Sequence, residues 1–109
     1  MGTFRTSTVI ETHGEGDLVD VTSLVERTVT GSGLRQGIAL VFTPHSTAAV
    51  VTLENEPGLR EDLFQALERN FPKGSEYQHH LRWGDGNGHS HIRSTFLGAS
   101  VALPFDGGR

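Results

Sequence analysis

Two apolar runs and one strictly spaced apolar stripe organise the chain. Gly37 to Thr43 is nearly continuous in apolar residues and of strand length, which predicts a strand buried on both faces. Ala48 to Leu53 predicts a second strand, and Pro44 between the two cannot donate to a ladder, so a bend should expose His45, Ser46 and Thr47. From Pro57, a residue tolerated in a first helical turn, Leu59, Leu63, Leu67 and Phe71 recur at i+4. That spacing predicts an amphipathic helix, stopped by Pro72-Lys73-Gly74.

Upstream, the β-branched stretch Thr6 to Thr12 reads as a strand ending at the turn signal His13-Gly14-Glu15-Gly16. Asp20-Val21-Thr22-Ser23 offers capping oxygens ahead of a short helix over Leu24, Val25, Thr28 and Val29, closed at Gly31-Ser32-Gly33. Tyr77 to Gly88 has no apolar period, and its Gly84-Asp85-Gly86-Asn87-Gly88 end predicts a polar loop. Asn87 or Ser90 could then cap a short helix over Ile92, Phe96 and Leu97, with Gly98 closing it. In such a helix His91 and Ser94 share a face, whereas an extended chain would pair His89 with His91. Val101 and Leu103 alternate in a last strand before Pro104. Asp106-Gly107 is a strong hairpin signal with no returning strand behind it, which predicts either a fragment or a sheet edge completed by another chain.

Strands mixed with helices make the class α+β, and 109 residues make it one domain. A net charge of −4 without a Lys/Arg block argues against a nucleic-acid partner. No apolar run reaches membrane-spanning length and no leader-like segment opens the chain, so a cytoplasmic protein without a membrane partner is expected. The absence of cysteine excludes disulfides, thiolate metal sites and a cysteine nucleophile.

What remains for chemistry is histidine. His45, His79, His80, His89 and His91 crowd into the middle of the chain, with His13 outlying. Neutral imidazole is the commonest protein ligand for zinc and titrates near neutrality. The His45, His79 and His91 spacing is too wide for a zinc finger, so any shared site is assembled by the fold or between subunits. The plainer reading of His45 is a buried ring tied to a backbone carbonyl, and of His79 a solvated loop residue. Glu54 and Glu56 are sufficiently explained as charges at a helix N-terminus, although Glu54 could also be a ligand, a base or an orienter of a histidine. Arg82 and Arg93 flank the histidines and could hold an anion bidentately, or simply face solvent. Ser46, Thr47 and Ser94 add hydroxyls, but no Gly-x-Ser-x-Gly elbow supports a serine nucleophile.

The combination of Pro44-His45-Ser46-Thr47-Ala48, Glu54-x-Glu56-Pro57-Gly58-Leu59, Tyr77-x-His79 and Asp85-x-Asn87-x-His89-x-His91-x-x-Ser94-x-x-Leu97-Gly98-x-Ser100 resembles the YjbQ-like family, whose members are often labelled secondary thiamine-phosphate synthase. The resemblance runs from the first strand to the last residue. It implies an α+β fold with β-sandwich-like mixed sheets and two or three helices, assembled as a homotrimer with histidines in polar clefts. His45, His79 and His91 match those histidines, Glu54 the acid after the second strand and Ser94 the serine beyond the last histidine. A divalent metal, most plausibly zinc, is what such histidines imply. Two departures stand out. Leu53 replaces a common asparagine, and the family continues beyond Gly-Arg into a Gly-Thr-Trp-Gln segment and a closing strand pair, so residues 1–109 look like one such domain truncated at its C-terminus. Trp83 is not that tryptophan.

The resemblance thus implies weak thiamine-phosphate synthase activity, in which a pyrimidine diphosphate joins a thiazole phosphate and pyrophosphate leaves. A metal with Arg82 or Arg93 would stabilise the leaving group, with His45, Glu54 and Ser94 as catalytic candidates and His45, His79 and His91 as metal ligands. Two alternatives stay open: a non-catalytic homotrimer binding a metal or small anion, and a zinc-dependent hydrolase.

Overall fold

The computed structural model describes residues 2–12, 17–74, 77 and 87–108. Its elements follow in the order α1 (Thr22–Ser32), β1 (Gly37–Phe42), α2 (Pro57–Asn70), α3 (Gly88–Leu97) and β2 (Ser100–Phe105). Three helices and one two-stranded sheet make a small α+β fold among the described residues. The chain divides into two compact units, Met1–Leu40 with Ala102–Arg109, and Val41–Val101.

In the first unit α1 starts where the capping signal lies, though not by a conventional cap. The Asp20 carboxylate accepts from the Thr22 amide at 2.9 Å and from its hydroxyl at 2.6 Å, bracing the chain as it enters the helix. Gly33, at φ +72°, ends α1 in the left-handed region that favours glycine. Val29 on this helix is the one buried apolar residue among those described.

The strands are antiparallel: the Gly108 amide donates to Arg35 O at 2.7 Å and the Thr43 amide to Ala99 O at 2.9 Å, so numbers fall on one strand as they rise on the other. Gly37 lies under Phe105, whose ring would stand 3.2 Å from a Cβ at that position. Strand alternation is clear, but burial on both faces is not found. Ala39 and Val41 are half-buried, whereas Ile38, Leu40 and Phe42 are exposed, because nothing among the described residues packs on their side of the sheet. Two other expected strands, Thr6 to Thr12 and Ala48 to Leu53, form no regular strand. The second segment does pair once, Val50 N–H to Gly98 O at 3.1 Å, but it finds no continuous ladder partner and so stays irregular.

In the second unit α2 begins at Pro57 as its apolar period predicts. Glu56 caps it, its two carboxylate oxygens accepting from the Gly58 amide at 2.8 Å and the Leu59 amide at 2.6 Å. The absence of a side chain on Gly58 leaves room for this, since a Cβ there would lie only 3.1 Å from the carboxylate. Bonds from the Gly58 and then the Leu59 amide hold the Glu56 carboxyl below its ordinary value of 4.5. Leu59, Leu63 and Leu67 are all half-buried, as an amphipathic stripe requires.

The helix α3 runs Gly88–Leu97 with Asn87 before it and Gly98 after it, in the predicted place. Its buried positions are Gly88, His89 and Ser94, while Ile92 and Phe96, two of the apolar residues that predict the helix, are exposed, Phe96 lying with its ring centroid 4.7 Å from that of Phe71. Gly98 adopts φ +97° and ψ 154°, a region essentially closed to residues with a Cβ.

Two outcomes follow from these helix ends. Gly98→Ala should cost about 1–3 kcal/mol in urea unfolding, from backbone strain alone. Glu56→Gln should melt below wild type at pH 7. Because the folded carboxyl is lowered, its contribution is complete above 4.5 and disappears as pH falls through the depressed folded value, so thermal melts of the two proteins should converge in acid.

Candidate functional site

Directly after β1 the chain turns at His45-Ser46-Thr47-Ala48, closed by the Ala48 amide donating to His45 O at 3.3 Å. The imidazole of His45 is exposed at this turn, as the Pro44 bend predicts. Three bonds hold the segment against the far end of α3. Thr43 N–H reaches Ala99 O at 2.9 Å, Val50 N–H reaches Gly98 O at 3.1 Å, and the Ser94 hydroxyl donates to Ala48 O. Ser94 is buried, so its proton is directed at a backbone carbonyl inside the protein and not at an imidazole. His91, one helical turn before Ser94, is half-buried. Two histidines 46 positions apart in sequence therefore stand on elements that touch.

Arg93 joins α3 to the end of α2. Its Nε donates to Phe71 O at 3.0 Å and its Nη2 to Glu68 Oε2 at 3.0 Å, and the same carboxylate oxygen accepts from the Lys73 amide at 3.4 Å. The guanidinium side chain is mostly buried, at 16% exposure against 58% for Glu68, so this fork is a partly desolvated tie between helices. It satisfies the Phe71 carbonyl just past the helix end, an acceptor that α2 leaves without an intrahelical donor. Past that point the Tyr77 hydroxyl donates to Pro72 O at 2.6 Å, anchoring the chain before the segment that carries His79.

Glu54 is exposed, two residues before the Glu56 cap. His79, His80, Arg82, Trp83 and His13 lie outside the described residues. Among the described residues no three His, Cys, Asp or Glu side chains converge into a group able to hold a metal ion. His45 and His91 are of the donor type that suits zinc. His89 is the residue that sequence reasoning undervalued: it is the most buried side chain described, 2% exposed, with Nε2 3.4 Å from the Ser90 hydroxyl. Its place in the first turn of α3 beside the buried Gly88 carries no pattern of residue types that signals this. No described helix is long and apolar enough to cross a membrane.

An α+β scaffold that presents histidines on a strand-end turn and on a helix packed against it defines the class. The family model described as UPF0047 protein YjbQ-like matches residues 6–109, and the chain belongs to that family. A UPF0047 protein of Archaeoglobus fulgidus is 38% identical over 92% of this chain and 75% of its own length. Bacillus subtilis YugU is 30% identical over 92% of this chain and 74% of its own. A crystal structure of a YbjQ-like protein of unknown function from Sulfolobus solfataricus superposes with a TM-score of 0.80 at 41% identity, covering 85% of this chain. The chain spans 66% of that structure's length, about two thirds of it.

Arg93→Ala should lower stability by about 2 kcal/mol in urea unfolding, the scale of a buried hydrogen bond from a charged donor. Undiminished stability in Arg93→Ala would instead remove the structural role of the tie to Glu68 and Phe71.

Proposed function

We propose that this chain is a histidine-based divalent-cation protein of the YjbQ family, assembled as a homotrimer in the cytoplasm, with weak transferase activity of the thiamine-phosphate synthase type. The observation that carries the reading is the seating of the His45 turn on α3, the helix of His91, by the Ser94, Val50 and Thr43 bonds. His45 and His91 would supply two imidazole donors, and His79, which lies outside the described residues, the third. When bound, zinc would polarise a phosphoryl oxygen and stabilise the negative charge of a leaving pyrophosphate. Glu54, exposed at the entrance to α2, would orient or deprotonate an imidazole. Arg82 would contact the diphosphate, since Arg93 is engaged with Glu68 and Phe71.

Self-association is supported by the apolar surface. Ile38, Leu40 and Phe42 are between 62% and 72% exposed along one strand while Val29 alone is buried among the apolar residues described, a pattern typical of chains that bury more on assembly. A binding role without turnover is the second reading, favoured by one observation: the Ser94 hydroxyl is already engaged by Ala48 O and is not poised as a nucleophile.

Elemental analysis should find about one zinc per chain in wild type, reduced in His45→Ala, His79→Ala and His91→Ala alike. No metal in wild type after reconstitution would overturn the cation site. Stoichiometric zinc without product from the pyrimidine diphosphate and thiazole phosphate pair would leave binding and remove the transferase.

A further inference from the structure

We infer that Ser94 is a positioning residue, acting on the His45 imidazole through the backbone of the turn that carries it. The inference rests on the cation-site reading and deepens it by naming what sets the separation between the His45 turn and α3. The turn is anchored at three points. Thr43 and Val50, just outside it on either side, are held by backbone bonds to Ala99 and Gly98, and any residue types at those positions could make them. The third bond is the only one of the three made by a side chain, and it acts inside the turn: the Ser94 hydroxyl donates to the carbonyl of Ala48, whose own amide closes the turn on His45 O.

Ala48 is thus held from both sides. Its N–H specifies the conformation of the His45 turn, and its C=O specifies the position of that turn against α3. Ser94 is buried at 8% exposure, so removing its hydroxyl leaves the Ala48 carbonyl without that donor in a place poorly reached by water. The turn should then shift outward to hydrate the carbonyl and carry His45 with it. His91 lies three residues before Ser94 on the same helix and does not move with the turn. Misalignment of one donor relative to another is what weakens a metal site without abolishing the fold, and loss of such orienting hydrogen bonds typically costs 10–100-fold in affinity.

The test uses zinc alone as the probe, on the full chain, with Ser94→Ala, Ser94→Thr and Val29→Ala compared with wild type at a temperature where circular dichroism shows all four folded. Val29→Ala, in the other compact unit, controls for general destabilisation. Zinc titration calorimetry should show affinity about tenfold weaker in Ser94→Ala and near wild type in Ser94→Thr and Val29→Ala. In the metal-free proteins, the His45 imidazole resonance should move and the Ala48 amide should exchange faster in Ser94→Ala, with Ser94→Thr restoring both. An unchanged zinc affinity and His45 resonance in Ser94→Ala would overturn the inference, as would equal weakening in Val29→Ala. If wild type binds no zinc, the cation-site reading fails, and the metal-free resonances still decide whether Ser94 positions His45.

Discussion

The attachment of residues 43–50 to the end of α3 is the constraint on which the Val41–Val101 unit depends. An apolar strand leaves β1 at Phe42, and within one residue the chain is bonded to Ala99. It is bonded again at Ala48 through Ser94, and again at Val50 through Gly98. These bonds run to the end of α3 and to Ala99 and offer no continuous ladder, so Ala48 to Leu53 forms no regular strand. The left-handed backbone of Gly98 makes the arrangement feasible, since it ends α3 with its N–H on Ser94 O while turning its own carbonyl to Val50. One glycine and one serine at the end of a single helix therefore hold the turn that carries His45.

The charged residues of this unit are used first for architecture. Glu56 satisfies two amides at the start of α2, and Arg93 satisfies a carbonyl beyond its end while pairing with Glu68. Both answer the same requirement, that helix ends leave backbone groups without intrahelical partners. The consequence for function is subtractive. Arg93 and the Ser94 hydroxyl are so engaged, whereas the His45 and Glu54 side chains are exposed.

The apolar surface of β1 is a separate matter. A two-stranded sheet with Ile38, Leu40 and Phe42 uncovered is marginal by itself. Its other face, with Ala39, Val41, Val101, Leu103 and Phe105 half-buried, follows the ordinary alternation of a sheet covered on one side. The continuity of the apolar run from Ile38 to Phe42 is thus meaningful only if something else covers the second face.

Helices were legible because their signals are local. Leucine at every fourth position from Leu59, proline at the first turn and glycine beyond the last act within a few residues of chain, and α1, α2 and α3 all formed where those signals lie. Strands were legible only where a partner existed: Gly37 to Thr43 and the stretch after Ser100 found each other, whereas Thr6 to Thr12 carries similar residues without a partner among those described. The sequence by itself determined the helix limits, the bend at Pro44 and the exposure of His45. Tertiary structure alone decided that Ser94 holds a carbonyl, that Arg93 joins two helices, and that His89 and not Phe96 is buried. Each of these depends on contacts between residues that are distant in the chain or on which helix face is covered, and no local pattern of residue types encodes the position of an oxygen 46 residues away.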